Sequence, residues 1–253
     1  MKSILKVLIT MVLIIPNIQA QINKNTKITT IKPNTAALLV TKKMTNFQPT
    51  THGFKFANTF KAQVDIAGLN GPTLSGHCAG MTYAALDYFK ANKPIPTQDF
   101  KPAKGTDLQK FIYERQIKAN MDDADKWGEL VLNPFGWRTE EFFNWGLQGS
   151  NGGRIQELRA SIDAGNPVPI GLFKAGNGGV GPHHEVLAIG YDMGRYKGDL
   201  GSFKEDVKIY VYDSNFPNST MTLVAKPGSL SFAYVEDPGC NWLTYFVSKK
   251  YVA

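Results

Sequence analysis

The apolar pattern changes period once along this chain, and that change constrains the fold more than any other feature. In Cys78–Lys90, Asp107–Ile117 and Arg154–Ala164 apolar residues recur every three to four positions; from Val168 to Val247 they alternate or run in short blocks. The first spacing buries one face of a helix, and the second builds strands. Met81, Ala84, Ala85, Tyr88 and Phe89 predict a helix over Cys78–Lys90, stopped by Lys93-Pro94-Ile95-Pro96. Leu108, Phe111, Ile112 and Arg115 share one face of a second helix over Asp107–Ile117. Ile155, Leu158 and Ile162 mark a third over Arg154–Ala164, with Gly165 in the stop position. Strands are expected at Val168–Phe173, His184–Tyr191, Val207–Asp213, Met221–Val224, Leu230–Val235 and Trp242–Val247. Helices followed by strands make an α+β chain, with a helical lobe packed on an antiparallel sheet or partial barrel.

The remaining segments are less regular. Residues 120–153 read as the least ordered stretch. Their aromatics (Trp127, Phe135, Trp137, Phe142, Phe143 and Trp145) are expected to serve core packing rather than a groove. Gln148–Gly153 reads as a flexible connector and Lys174–Gly181 as a mobile loop. Residues 21–69 read as an extended N-terminal arm anchored by Phe54, Phe56 and Phe60. Ahead of it, Lys2 and Lys6 flank a short apolar run, Val7–Ile15, and Ala20 offers a small residue for cleavage. That pattern predicts a signal peptide over residues 1–20, hence a secreted or periplasmic protein with no membrane span. The expected organisation is therefore signal peptide 1–20, arm 21–69 and one domain over 70–253, helical to about 165 and stranded from 166.

The chain of 253 residues carries a formal charge of +7. Its lysines are scattered, and no nucleic-acid motif accompanies them, so a solvated basic surface is expected and no nucleic-acid partner. Gly149–Gly153 lacks the lysine and framing of a phosphate loop. His183-His184 would point to opposite faces of a strand, with no carboxylate at ligand spacing, so neither a metal nor another cofactor is expected. The sequence does not fix an oligomeric state.

Chemistry enters with Cys78. It stands in Ser75-Gly76-His77-Cys78-Ala79-Gly80-Met81, at the start of the first helix, where the dipole favours a thiolate. Downstream, His184 opens one strand and Asp213 closes another, so the chain holds a nucleophile, a base and an orienter in order. Asn215, two residues on, is an alternative orienter, and Asp213–Pro217 also has turn composition. Cys240, the second cysteine, reads as a structural thiol before a strand; a Cys78–Cys240 disulfide is the alternative that would make the domain purely structural.

These residues resemble the papain-like cysteine peptidase superfamily. Gly76-x-Cys78-x-Gly80-Met81, the strand His184-Glu185-Val186-Leu187-Ala188-Ile189-Gly190-Tyr191 and the strand Ile209–Asp213 carry the likeness, which covers roughly residues 70–250 and is nearest to uncharacterised exported bacterial proteins. The resemblance implies hydrolysis of peptide or amide bonds, in a peptide, protein or cell-wall substrate, by Cys78, His184 and Asp213. Transpeptidation on the same machinery is a related outcome. The family places a glutamine about six residues before the cysteine to complete the oxyanion hole. Pro72 stands there in this chain, with Asn70 the apt substitute and Thr73 or Ser75 further options. A catalytically inert binding or inhibitory module on the same fold is the alternative reading.

Overall fold

The computed structural model describes residues 41–66, 69–131, 136–174 and 183–253. The proposed signal peptide and most of the loop after Lys174 lie outside the described residues.

The chain is mixed helix and sheet, with a curled antiparallel sheet forming half a barrel. In chain order the elements are β1 (Lys42–Met44), α1 (Pro49–His52), β2 (Lys61–Ile66), β3 (Leu69–Ser75), α2 (Cys78–Lys90), α3 (Asp107–Asp122), α4 (Ala124–Val131), α5 (Thr139–Leu147), α6 (Arg154–Asp163), β4 (Val168–Phe173), β5 (His184–Asp192), β6 (Lys208–Tyr212), β7 (Thr220–Lys226), β8 (Ser231–Tyr234), β9 (Asn241–Trp242) and β10 (Thr244–Val247). The main sheet runs β10-β4-β5-β6-β7-β8-β9, and β2 and β3 form a separate ribbon. The first half of β5 pairs with β4, where His184 faces Leu172; its second half pairs with β1, where Gly190 faces Met44.

Helices cover both faces of this sheet. Val186 and Ala188 of β5 turn into one core with Ile155, Leu158 and Ile162 of α6 and Phe143 and Leu147 of α5. Leu187 and Ile189 turn the other way, into a core with Met81, Ala84 and Ala85 of α2, Ile112 of α3 and the arm residues Phe47, Phe54, Phe56 and Phe60. A strand buried on both faces reads as a continuous apolar run, which is what β4 and β5 show.

The local rules explain the helix bounds. The Thr106 side chain accepts from the Gln109 N–H at 3.4 Å, capping α3, and Asp107 in the first turn favours the dipole's positive end. Gly165, at φ +82°, ends α6 by donating to the Ile162 carbonyl. Gly80 lets α2 lie against α3: a Cβ there would stand 2.2 Å from the Ile112 carbonyl oxygen.

Four expectations need correction. Residues 120–153 are not irregular but hold α4 and α5, and α3 itself runs five residues past Ile117. The expected strand Trp242–Val247 is two strands, β9 and β10, on opposite ends of the sheet order. The β2–β3 ribbon crosses the boundary drawn between residues 69 and 70, and β1 joins the main sheet. The Gln148–Gly153 connector is tied down, the Gly149 N–H donating to the Gly198 carbonyl at 2.9 Å.

Candidate active site

Cys78 is the first residue of α2, so its backbone N–H has no intrahelical acceptor. His184 and the backbone N–H groups of Glu185 and Ala79 stand around its sulfur. Burial opposes the thiolate, yet the hydrogen bond and charge of His184, with the two backbone donors, hold the thiol below its ordinary range. His184 responds oppositely. Burial disfavours its cation, but the charge and hydrogen bond of Asp213, and then Cys78, keep its pKa well above the usual imidazole value. Each group is among the causes of the other's shift, so the two titrate as a coupled pair.

Asp213, directly after β6, is 1 % exposed and fully engaged. Its Oδ1 accepts from His184 Nε2 at 2.8 Å and from the Asn215 N–H at 2.8 Å, and its Oδ2 accepts from the Tyr234 hydroxyl at 2.9 Å. Burial pushes the carboxyl up, but the His184 cation and these donors carry it below the ordinary range. Since Nε2 faces Asp213, Nδ1 is the ring nitrogen left for Cys78. The Asn215 amide nitrogen lies 3.3 Å from the same Nε2. Two donors cannot bond each other, so Asp213 rather than Asn215 fixes the tautomer. Trp242 lies against the His184 ring, with centroids 6.4 Å apart and planes 19° from parallel, and is itself buried against Tyr234.

These groups open onto a cleft of about 540 Å³. Its lining includes Asn58, Phe60, Gly76, Lys174, His183 and Trp242. Asn70 lies in β3 opposite Asp65, and its side chain is outside the described residues. Asn58 was missed by the sequence reading. Its N–H donates to the Ser214 carbonyl at 3.0 Å, and its Oδ1 accepts from the His77 N–H at 2.7 Å. Nδ2 thus has no protein acceptor among the described residues, while Asn58 borders the cleft beside Cys78. Gly76 makes room for it: φ is +86°, and a Cβ would stand 2.7 Å from Nδ2. No local motif marks Asn58; only the fold brings it twenty positions forward in the chain to the helix start.

The neighbouring histidines do other work. His77 stacks on Phe60 at 4.7 Å, and burial lowers its pKa. His183 is sandwiched between Phe173 at 4.5 Å and Trp127 at 5.0 Å, and burial again favours its neutral form. Of the aromatics expected in the core, Phe142 and Phe143 are buried, Trp127 and Trp145 are half-buried, Trp137 is 74 % exposed, and Phe135 lies outside the described residues. Both cysteines are free thiols, so the Cys78–Cys240 disulfide does not form; Cys240 borders the same cleft and donates to Asp237 Oδ2 at 3.2 Å. Among the described residues no group of three His, Cys, Asp or Glu side chains is placed to hold a metal ion, and no helix is long and apolar enough to cross a membrane.

Comparison with protein-family models, with curated proteins and with solved structures finds no match to this chain.

Proposed function

We propose that this chain is an exported thiol hydrolase of peptide or amide bonds, with Cys78 as nucleophile, His184 as general acid and base, and Asp213 as orienter. The observation that carries this reading is the convergence of Cys78, His184 and Asp213 on one open cleft, with His184 Nε2 2.8 Å from Asp213 Oδ1. The likeness of the Cys78, His184 and Asp213 segments to papain-like peptidases supports it independently. In the first step the Cys78 sulfur bonds to the carbonyl carbon, the C–N bond breaks, and His184 gives its proton to the departing amine. Water then attacks the thioester, gives a proton to His184 and releases the acid, restoring the thiol pair. The oxyanion formed in each step is met by the Cys78 N–H and by Asn58 Nδ2, in place of the glutamine that Pro72 displaces.

An inert module would be expected to show a filled cleft or a sulfur out of reach of the ring. The open cleft and the influence of His184 on the Cys78 thiol favour the hydrolase. The test is alkylation by iodoacetamide at neutral pH, paired with peptide cleavage. Cys78 is expected to react faster than a simple thiol, and Cys78→Ala is expected to abolish cleavage. A Cys78 no faster than a simple thiol, with cleavage intact in Cys78→Ala, ends the proposal.

A further inference from the structure

Resting on the hydrolase reading, we propose that the cleft selects substrates carrying a carboxylate near the scissile bond. Lys61 and Lys174 both border the cleft. Lys61 opens β2, in register with Ser75, three residues before the nucleophile. Lys174 follows β4, two residues beyond Leu172, which pairs with His184. A third, Lys101, lies near Phe60 of the lining, its Nζ 3.3 Å from the Thr59 carbonyl and 5.8 Å from the Phe60 ring. None of the three forms an ion pair among the described residues.

No acid offsets them inside the cleft. Asp213 is the only carboxylate among the described lining residues, and His184, Asn215 and Tyr234 consume it. Asp237 is not among the lining residues and accepts from the Cys240 sulfur at 3.2 Å. Residues 175–182, which join Lys174 to His183, carry no charged side chain. Burial lowers the pKa of both His77 and His183. The cleft is therefore net positive, and a concave site between low-dielectric walls concentrates such a field.

Two readouts on the full chain test this. The first is the rate of Cys78 alkylation by anionic iodoacetate divided by that with neutral iodoacetamide. His184 is common to all variants, so a change in the ratio reports the lysines. Lys61→Gln with Lys174→Gln is expected to lower the ratio about 3- to 5-fold in low salt and less in high salt, as for partly exposed charge pairs. Lys208→Gln, at the far end of β6 from Asp213, is expected to leave it unchanged. The second is mass-spectrometric mapping of cleavage in a mixed peptide pool. Asp and Glu are expected to be enriched beside cut bonds, and Lys61→Gln with Lys174→Gln is expected to lose that enrichment. Cleavage without acidic enrichment overturns the selectivity while leaving the hydrolase reading intact. If no peptide is cut, an alkylation ratio insensitive to both lysines overturns it as well. A slow Cys78 defeats the hydrolase reading instead.

Discussion

At the residue scale the decisive contrast is between Asp213 and Asn215, two residues apart and both near His184. Only Asp213 accepts from Nε2, and its charge is the main force raising the His184 pKa. Asp213→Asn removes that charge, so His184 holds its proton less firmly and no longer stabilises the Cys78 thiolate. The acid limb of the iodoacetamide rate profile is then expected to move upward in pH, with a tenfold slower reaction below it for about each unit of thiol shift. Asn215→Ala keeps the backbone N–H that bonds Asp213 and is expected to leave the limb in place. A profile unmoved in Asp213→Asn, or moved equally in Asn215→Ala, would contradict the assignment. Sequence reading reached Cys78, His184 and Asp213 because each sits at an element's end, where a local pattern announces it. It did not reach Asn58, which acts through a backbone bond to Ser214 and a side-chain bond to His77, contacts with no trace in local sequence.

At the element scale α2 was legible to the residue, Cys78–Lys90, because its apolar spacing is regular and prolines follow it. Helices α4 and α5 were not. Gly128 and Gly146 look like breakers, and a Pro134-Phe135-Gly136 break divides the two helices. Gly146 instead answers to packing: a Cβ there would meet the Phe232 ring at 2.6 Å. The same logic governs the seat of the nucleophile. Helix propensity alone predicts that Gly80→Ala stabilises α2 by about 1 kcal/mol. The crossing with α3 predicts the reverse, because the new methyl meets the Ile112 carbonyl and disturbs the Gly80 N–H bond to Gln116 Oε1. Overpacking of this kind costs about 1–3 kcal/mol. Urea unfolding of Gly80→Ala is expected to show a net loss, with slower Cys78 alkylation as the helix start shifts. A variant more stable than the parent would mean that α2 and α3 do not approach this closely.

At the scale of the whole molecule the site lies where β5 divides two cores, and one residue there sets a pH dependence for the entire fold. Glu185 follows His184 but turns into the side of α2, 1 % exposed, with neither carboxyl oxygen hydrogen-bonded. Burial, then the charges of Asp123 and Cys78, push its pKa well above the usual glutamate value, partly offset by His184. Tyr83, hydrogen-bonded to Ser248 at 2.8 Å and to Asp123 at 3.3 Å, stands in the same buried group. A pKa raised on folding means that the folded chain keeps a proton the unfolded chain has lost. The stability this contributes is whole below the unfolded glutamate range and declines as pH rises toward the folded pKa, by about 1.4 kcal/mol per unit. Asp213 has the opposite sign: its lowered pKa adds stability above the ordinary aspartate range that is lost as pH falls through the folded value. The two carboxyls thus oppose each other at the ends of the scale, and only Glu185 can be neutralised without touching the His184 hydrogen bond. Glu185→Gln is accordingly expected to match the parent's melting temperature near pH 4 and to exceed it increasingly toward pH 8. A constant difference across that range, or a variant that loses ground at alkaline pH, would show that Glu185 is ionised in the folded protein and has a partner there.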